Sequence, residues 1–523
     1  MNNTWNRRFD VIVVGSGKDG LAAATQLALI GNRVLMLEKH NIVGGFSTSF
    51  VRGRFEFEAS LHELCDLGSE ECPGGIWEIF ESLGVEVDWR RIDEAYRIII
   101  PSENVDVALP FGFTEYCDAI EKAVPGCKSY VEKFIRLCEE ITLTFDYIAK
   151  AKGIIDKKLL LSKYPNFVKT NAYTLEDVLN ALKMPKKAKD IISGHWCYIG
   201  LPTSRINFTL FGAMFYKFLT TKAYIPKMRS TEFALALESR FRELGGMVEL
   251  NSEVVQIFVE NGAVIGVETK SGEQIAANQV FCCASPTQTF SKLIYPKEEI
   301  PKNALKWCNA RRLASSGFVV WIGLNKSKEE LGLHNYSYFI YETSDTDKLY
   351  NSFYDLDAPM VQATVCLNHV IPDCSPNGTT IMSFTILHGP EAWKDITPEQ
   401  YFKKKNEIAI KLIDNFEKGT GIKIKEFIEE IDISAAPTYA HYTNAYQGVI
   451  YGYETDSWDS VVPRILNRDE EKFINGLFFT SGWGVRTLGF SSALSCGQFE
   501  ALRCLAASKQ QDEIESVNVK GGQ

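Results

Sequence analysis

The chain has 523 residues, of which 45% are apolar and 23% charged, a composition that excludes collagen-like, disordered and polytopic membrane proteins. Its 66 acidic and 56 basic residues leave a net charge of −10, which argues against a nucleic-acid partner, because such a partner needs a basic surface. The 13 cysteines include no CxxC pair, so no metal site of the zinc or iron–sulfur kind is expected.

The beginning of the chain predicts a reduced, cytoplasmic protein. Within ten residues it enters a strand-like segment, which leaves no separate apolar stretch and cleavage site for a signal peptide. The apolar stretch Ile206–Leu219 contains Lys217 and is too short to cross about 30 Å of hydrocarbon as a helix. A peripheral contact with a membrane stays open.

The first predicted elements form a strand, a glycine turn, a helix and a second strand. Phe9–Val14 ends in four consecutive β-branched residues, which favours a strand buried on both faces. Gly15–Gly20 fits GxGxxG, and Leu21–Ala28 follows with strong helix propensity. The second strand, Arg33–Leu37, ends at Glu38, 21 positions after the second glycine of the motif. This order and spacing predict a dinucleotide-binding site.

Each residue of this motif has a physical task. Gly15 permits the tight turn, Gly17 lets the backbone approach a pyrophosphate, and Gly20 brings the helix against the strand. The helix N-terminus then faces the anion. Glu38 is the expected acceptor for ribose hydroxyls, and its carboxylate would repel the 2′-phosphate of NADP. FAD and NAD are the cofactors that remain.

The residues after Glu38 carry a family resemblance. Gly44–Thr48 resembles the extended FAD fingerprint of glutathione-reductase-like flavoproteins, and Gly53–His62 resembles the segment that runs over the flavin in the phytoene desaturase, carotenoid isomerase and retinol saturase family. Further along, residues 224–237, 247–269 and 279–286 resemble the middle of that family's FAD domain, with Asn261–Gly262 as a hairpin turn. Residues 475–497 resemble its closing flavin strand and final helix.

The resemblance implies FAD as the cofactor. It places the Val254 backbone on the adenine, and it makes Ser491 and Ser492 the N-cap of a helix that points at the flavin pyrimidine edge. The predicted cofactor-binding residues are Gly15, Gly17, Lys18, Asp19, Gly20, Glu38, Lys39, Gly44, Gly45, Phe46, Ser47, Thr48, Val254, Ser285, Gly482, Trp483, Ser491 and Ser492.

Four positions depart from the family's usual residues. Phe46 stands where many relatives carry an arginine beside the pyrophosphate, which leaves Ser47, Thr48 and backbone amides to bind it. Gly482 stands where many flavoproteins have an acid for the ribityl chain. Glu58 and Ser60 replace the usual aspartate and glycine.

The element pattern predicts the fold class α/β, with a glutathione-reductase-like, Rossmann-type FAD domain interleaved with an α+β substrate domain. Helical patterns dominate residues 96–222, and strand-like runs dominate residues 316–434. The FAD domain is predicted to comprise residues 1–95, 223–300 and 470–510, the substrate domain residues 96–222 and 301–469, and a flexible tail residues 511–523.

Four residues are candidates for proton transfer. The resemblance places His62 and Glu63 over the flavin, and His195 and Tyr198 stand in an aromatic-rich stretch of the predicted substrate domain. The sequence contains no second GxGxxG and no cysteine pair of the disulfide-oxidoreductase type, so the electron donor or acceptor stays open. The many aromatic residues near position 211 favour a core over the wall of an apolar tunnel.

The resemblance implies an FAD-dependent oxidoreductase that acts on carbon–carbon single or double bonds of a long apolar, isoprenoid- or lipid-like substrate, by desaturation, saturation or isomerisation. One alternative is a flavin amine oxidase-type dehydrogenase, although no aromatic pair that would enclose an amine is identifiable. Another is a lipid-binding escort without flavin, resembling the Rab escort and GDP-dissociation-inhibitor proteins. The intact glycine fingerprint with Glu38 argues against the escort.

Overall fold

The computed structural model describes residues 5–150, 155–358, 361–459, 464, 472–484 and 489–504. All predicted site residues belong to this part of the chain. The predicted tail, 511–523, and the last residues of the predicted FAD domain, 505–510, lie outside the described residues.

A five-stranded parallel sheet carries the glycine turn. Its central strand, Val11–Val14, pairs with Val34–Leu37 on one side and Gln279–Cys282 on the other. The β-branched residues of the central strand are almost wholly buried, as expected where both faces of a sheet are covered. Helix Lys18–Leu29 packs against helix Ser230–Glu243 beside this sheet. The strand order is Met247–Glu249, Val34–Leu37, Val11–Val14, Gln279–Cys282 and Leu477–Phe479.

A second sheet, with both parallel and antiparallel pairs, contains the predicted hairpin. Three of its five strands lie in sequence between strands Met247–Glu249 and Gln279–Cys282 of the first sheet. Asn261 and Gly262 have φ angles of 52° and 75°, and they connect strands Val254–Glu260 and Ala263–Thr269. Two consecutive positive φ angles are typical of a type I′ turn, so the hairpin prediction is confirmed. The strand order is Arg7–Arg8, Gln274–Ala276, Ala263–Thr269, Val254–Glu260 and Ile294–Tyr295.

The predicted strand-rich segment forms a seven-stranded sheet. Helix Pro398–Thr420 covers one face, where Phe416 packs against Tyr338 and Phe384. On the other face Trp321 donates its indole N–H to the Glu58 carbonyl at 2.7 Å, so this face lies against the segment that leads to His62. The strand order is Val105–Pro110, Glu94–Ile100, Ser337–Tyr341, Val361–Cys366, Thr380–His388, Ser316–Leu324 and Ile428–Ser434.

The predicted helical block is also present. Its centre is Phe134, which contacts the rings of Phe208, Phe211 and Phe215, and these rings are buried. The apolar stretch near position 211 therefore belongs to the core. Thr174 forms a capping box with Asp177, as the sequence pattern indicated. The helices of this block are Phe113–Ala123, Lys128–Lys150, Lys157–Lys163, Pro165–Thr170, Leu175–Ala181, Lys186–Ile192, Trp196–Ile199 and Phe208–Thr221.

Shorter elements connect these layers. The small antiparallel strands are Leu64–Cys65 with Ala223–Pro226 and Trp89–Ile92, Ser49–Arg52 with Phe55–Glu58, and Gly68–Ser69 with Cys72–Pro73. The remaining helices are Gly75–Leu83, Pro286–Gln288, Lys302–Asn309, Lys328–Leu331, Thr346–Asn351, Ala436–Thr443 and the helical residues 490–504. None of the helices in the described part of the chain has the length and apolar character that crossing a bilayer requires. The predicted domain boundaries stay a prediction.

Candidate cofactor and active site

The glycine turn leaves a helix N-terminus open at the edge of the parallel sheet. Gly15 has a φ of +98°, which other residues seldom adopt. A Cβ atom on Gly20 would lie 2.5 Å from the Gly15 carbonyl oxygen, so only glycine permits this approach of helix and strand. Gly17 caps helix Lys18–Leu29 without a side-chain hydrogen bond to its first amides. Those N–H groups are left to bind an anion.

The diglycine segment closes over this turn. The Gly44 N–H donates to the Ser16 carbonyl at 2.9 Å, and a Cβ atom on Gly45 would lie 3.4 Å from the Gly17 Cα. Ser47 follows, fully buried, and no described residue forms a hydrogen bond with its hydroxyl. A buried hydroxyl without a partner is costly. Free amides and an orphaned hydroxyl together fit the diphosphate of FAD.

Glu38 lies at the adenosine end of this predicted site. One carboxylate oxygen accepts from the Ser16 N–H at 2.8 Å and from the Ser16 hydroxyl at 2.7 Å, and the other accepts from the His40 N–H at 2.8 Å. A carboxylate accepts about four hydrogen bonds, so one position remains for a ribose hydroxyl. The Ser252 N–H donates to the Glu38 carbonyl at 2.8 Å, which brings Val254 to the same end.

Three predicted cofactor contacts have protein partners for their side chains. The Asp19 carboxylate accepts from the Thr480 hydroxyl at 2.5 Å, Ser285 caps the short helix Pro286–Gln288, and Lys39 donates to the His441 carbonyl at 3.1 Å. Asp19 thus joins the first helix to the last parallel strand. The sequence pattern gave the positions of these residues at the site but not the directions of their side chains.

Gly482 and Trp483 follow the last parallel strand and lie at the same edge of the sheet as the glycine turn. A Cβ atom on Gly482 would lie 2.7 Å from the Tyr451 carbonyl oxygen. An acidic side chain at this position is therefore sterically excluded, which accounts for the departure from other flavoproteins. Trp483 packs edge-on against Tyr453, with ring centroids 4.9 Å apart.

The final helix differs from the prediction. Residues 490–504 are helical, so Ser491 and Ser492 occupy its first turn and are not its N-cap. Gly489, with a φ of +95°, precedes the helix and lets the chain enter it one residue earlier. The Ser491 hydroxyl donates to the Cys65 carbonyl at 2.7 Å, which fixes the helix start near His62.

The segment before His62 is held by the residues that depart from the family pattern. The Glu58 carboxylate accepts from the N–H groups of Leu61, at 2.8 Å, and Ser230, at 2.7 Å. The Ser60 hydroxyl donates to the Phe46 carbonyl at 2.8 Å. Burial raises the pKa of Glu58, against the effect of these hydrogen bonds. These contacts connect the diglycine segment to the approach of His62.

His62 is held by two residues, one in a strand of the seven-stranded sheet and one directly before another of its strands. Its Nε2 lies 2.8 Å from the Thr385 hydroxyl, and the Tyr336 hydroxyl donates to its carbonyl oxygen. Burial lowers the pKa of His62 to about 4. The imidazole is therefore neutral near pH 7.

Glu63 is a buried acid. Neither carboxyl oxygen is exposed, and no described residue makes a hydrogen bond of normal geometry with them. Burial raises the pKa of Glu63 to about 8, the nearby Tyr198 hydroxyl lowers it, and Glu94 raises it further. The side chain is therefore protonated at pH 7 and can donate a proton.

The structure brings the four candidates for proton transfer together. The rings of His62 and Tyr198 are 6.1 Å apart, and those of Tyr198 and His195 are 5.3 Å apart. His195 is enclosed by aromatic rings, including Tyr96 at 4.1 Å, and its Nε2 has no partner among the described residues. Burial lowers the pKa of His195 to about 3. His195 therefore stands behind Tyr198 as a neutral, buried neighbour.

A small cleft lies between the segment that ends at His62 and the seven-stranded sheet. Mostly apolar walls with a few polar groups are typical of a small-molecule site. The polar side chains are Glu58, Ser60, His62 and Ser383. The apolar lining consists of Phe57, Ala59, Leu61, Val319, Trp321, Val365, Leu367, Ile381 and Met382.

Comparison with known proteins agrees with this geometry. A family model described as FAD dependent oxidoreductase matches residues 10–92, which include the glycine turn, the diglycine segment and His62. The chain is an FAD-dependent oxidoreductase. The predicted cofactor is therefore confirmed as FAD, and the escort alternative is set aside.

Relatives of this oxidoreductase confirm the predicted resemblance to the retinol saturase and carotenoid isomerase family. An all-trans-retinol 13,14-reductase of Danio rerio is 27% identical and aligns over 93% of this chain and 84% of its own length. A chloroplastic prolycopene isomerase of Daucus carota is 24% identical over 84% of this chain and 71% of its own. A double mutant of putrescine oxidase, 13% identical, matches 96% of this chain and 99% of its own with a TM-score of 0.64, which confirms the fold class.

Two functional contacts of this oxidoreductase were not predicted. Tyr336 and Thr385, which hold His62, are more than 250 residues away from it in sequence. No local motif around His62 could therefore predict them. One signal was present for Thr385. Ser383 and Thr385 alternate with Phe384 and Ile386, a period of two that indicates a strand with one partly polar face.

Proposed function

We propose that this oxidoreductase acts on carbon–carbon single or double bonds of a long apolar, isoprenoid- or lipid-like substrate, by desaturation, saturation or isomerisation. The observation that carries the proposal is a mostly apolar cleft with His62 in its lining and the protonated Glu63 next in sequence. An apolar cleft favours a hydrocarbon chain, and a neutral acid beside it supplies a proton without a buried charge.

The names of the relatives support this substrate class. Retinol and prolycopene, which appear in those names, are both conjugated isoprenoids. One relative is named a reductase and the other an isomerase, so the shared element is the conjugated double bond and not the direction of the reaction. We extend that element to this chain.

Bound FAD supplies or accepts a hydride, and saturation of a double bond then requires one proton as well. In our proposal Glu63 holds that proton, since its carboxyl is neutral at pH 7. Tyr198 lies beside Glu63 and the ring of His62, and it passes the proton between Glu63 and the cleft. Thr385 orients His62, and the buried ring of His195 stacks on that of Tyr198.

The test is a spectrum of the FAD-loaded protein under anaerobic conditions, with separate additions of all-trans-retinol, prolycopene and putrescine. A saturase reduced with dithionite regains the oxidised flavin spectrum in proportion to the polyene consumed, and a desaturase loses that spectrum when a more saturated polyene is added. An isomerase changes the polyene with no net change in the flavin. A flavin bleached by putrescine and inert toward polyenes would overturn the proposal in favour of an amine oxidase.

A further addition of NADH or NADPH to the same sample addresses the electron partner. The sequence lacks a second GxGxxG, so we expect neither nucleotide to bleach the flavin at a rate that supports turnover. Rapid bleaching by either would contradict this expectation and assign the donor.

The proposal includes a peripheral contact of a cytoplasmic protein with a membrane, because an apolar substrate is concentrated there. Helix Lys157–Lys163 exposes Leu159 and Leu161, the latter by 60%, between lysine residues. Exposed leucines flanked by lysines favour an anionic lipid surface. Sedimentation with anionic liposomes should carry the protein down, and Leu161→Asp should leave it in the supernatant. Equal sedimentation of both proteins would exclude this helix as the contact.

A further inference from the structure

Lys18 is a buried cation at the N-terminus of the first helix. It is the first residue of helix Lys18–Leu29, directly after the glycine that caps the helix. Only 8% of the residue is exposed. Its ammonium lies 4.3 Å from the centre of the Phe490 ring and 5.9 Å from that of Phe46. These two rings belong to the final helix and to the diglycine segment, so the ammonium points into the space that they and the glycine turn enclose.

No protein anion balances this charge in the described part of the chain. Lys18 forms no ion pair and no hydrogen bond there. The adjacent Asp19 directs its carboxylate to the Thr480 hydroxyl. Residues 485–488, outside the described part, contain no acidic side chain. Burial lowers the pKa of Lys18, and the charge of Asp19 only partly opposes this effect.

A buried ammonium without an anion costs several kcal/mol. Binding of an anion beside Lys18 would offset this cost. A second orphaned group points to the same place. The Ser47 hydroxyl is also fully buried and without a partner among the described residues, and it follows the glycines that pack over Gly17.

We propose that the Lys18 ammonium is the positive charge that binds the diphosphate of FAD, together with the Ser47 hydroxyl and the first amides of helix Lys18–Leu29. This assignment rests on the cofactor and not on the proposed substrate. It explains how the site accommodates Phe46: the cation comes from the glycine turn itself, and the Phe46 ring covers its ammonium.

The test compares ligand binding by the wild-type apoprotein and three variants. Lys18→Met removes the charge and keeps the length of the side chain, whereas Lys18→Arg keeps the charge. Lys405→Met is the matched control, because Lys405 also lies over an aromatic ring, that of Tyr401, at 5.1 Å, but on another helix. The ligands are FAD, ADP, which carries the diphosphate without the flavin, and adenosine, which carries neither.

A charge-assisted hydrogen bond to phosphate predicts that Lys18→Met weakens the binding of both FAD and ADP by about 10- to 100-fold. Adenosine binding should not change, Lys18→Arg, which keeps the positive charge, should bind FAD more tightly than Lys18→Met does, and Lys405→Met should match the wild type. Without ligand, Lys18→Met should unfold at a higher temperature than the wild type, because it no longer buries an unpaired charge. Weaker ligand binding together with a higher unfolding temperature separates the proposed role from damage to the fold, which would lower both.

Two results would overturn the proposal. Unchanged binding of FAD and ADP by Lys18→Met would show that the ammonium meets no phosphate. Weaker FAD binding with unchanged ADP binding would place the ammonium on the flavin instead. A wild-type apoprotein that binds neither ligand would instead refute the cofactor itself, so the two failures are distinguishable.

Discussion

Replacing Glu63 by glutamine tests the central feature of the proposed chemistry. Glutamine has nearly the same shape as the protonated acid but cannot release a proton. In the wild type both carboxyl oxygens are buried without a hydrogen-bond partner among the described residues, and burial raises the pKa to about 8. The substitution therefore removes one titration from the folded protein while it leaves the packing nearly unchanged.

The magnitude follows from the two states of the chain. The unfolded chain releases the Glu63 proton near pH 4.5, and the folded protein releases it near pH 8. Between these values only the folded protein holds the proton, so stability is full below about pH 4.5 and falls as the pH rises, by about 1.4 kcal/mol per pH unit. From pH 6.5 to 8 the wild type should lose about 2 kcal/mol relative to Glu63→Gln. The difference should become constant about one pH unit above the folded pKa of about 8.

The assay is urea unfolding of the FAD-saturated wild type and Glu63→Gln proteins at pH 6.5, 7.2 and 8.0. The difference between the two proteins cancels every other group that titrates. The buried histidines cancel in the same way: burial lowers the pKa values of His62 and His195 in the folded protein to about 4 and 3, so near pH 6.5 they titrate only in the unfolded chain, and equally in both proteins. Parallel stability profiles of the two proteins would refute the reasoning, since they would show that Glu63 is ionised in the fold at neutral pH.

Two further predictions concern the cofactor and the proton-transfer residues. Gly17→Val should yield protein without flavin absorbance but with an unchanged circular dichroism spectrum, because the added Cβ meets only the Asp19 side chain, with the nearest oxygen at 2.8 Å, while the rest of the side chain blocks the diphosphate; a yellow variant would contradict the cofactor placement. His62→Ala should retain FAD and lose turnover by at least about tenfold, measured with the polyene that the wild type consumes; full activity would remove His62 from the mechanism.

The glycine turn was predictable because its contacts are local. Gly15, Gly17 and Gly20 follow one another within six residues, and the conformation that each must adopt depends on its immediate neighbours. The order of strand, turn and helix then gives the cofactor edge of the sheet without any long-range information. The long strands and helices were predictable for a similar reason, since Thr380–His388 and Pro398–Thr420 repeat their patterns over many residues.

Side-chain directions at the same site were not predictable. Asp19 stands inside the fingerprint but bonds to Thr480, 461 positions away, and Ser491 bonds to Cys65, 426 positions away, instead of capping its helix. Both outcomes depend on which distant carbonyl or hydroxyl group the fold places within hydrogen-bonding distance of the side chain. Sequence patterns specify the backbone of such a site, whereas long-range packing decides which polar groups stay free for a ligand.

The polar groups around the glycine turn that have no protein partner indicate the charge of the ligand. Around the glycine turn, Asp19 and the Glu38 carboxylate have protein partners, while Lys18 and Ser47 have none among the described residues. Since the fold provides hydrogen-bond partners for the two acidic side chains and none for the Lys18 ammonium or the Ser47 hydroxyl, the charge that completes the site must be negative. A neutral ligand at this position would leave the Lys18 ammonium buried and unpaired, at a cost that a diphosphate removes.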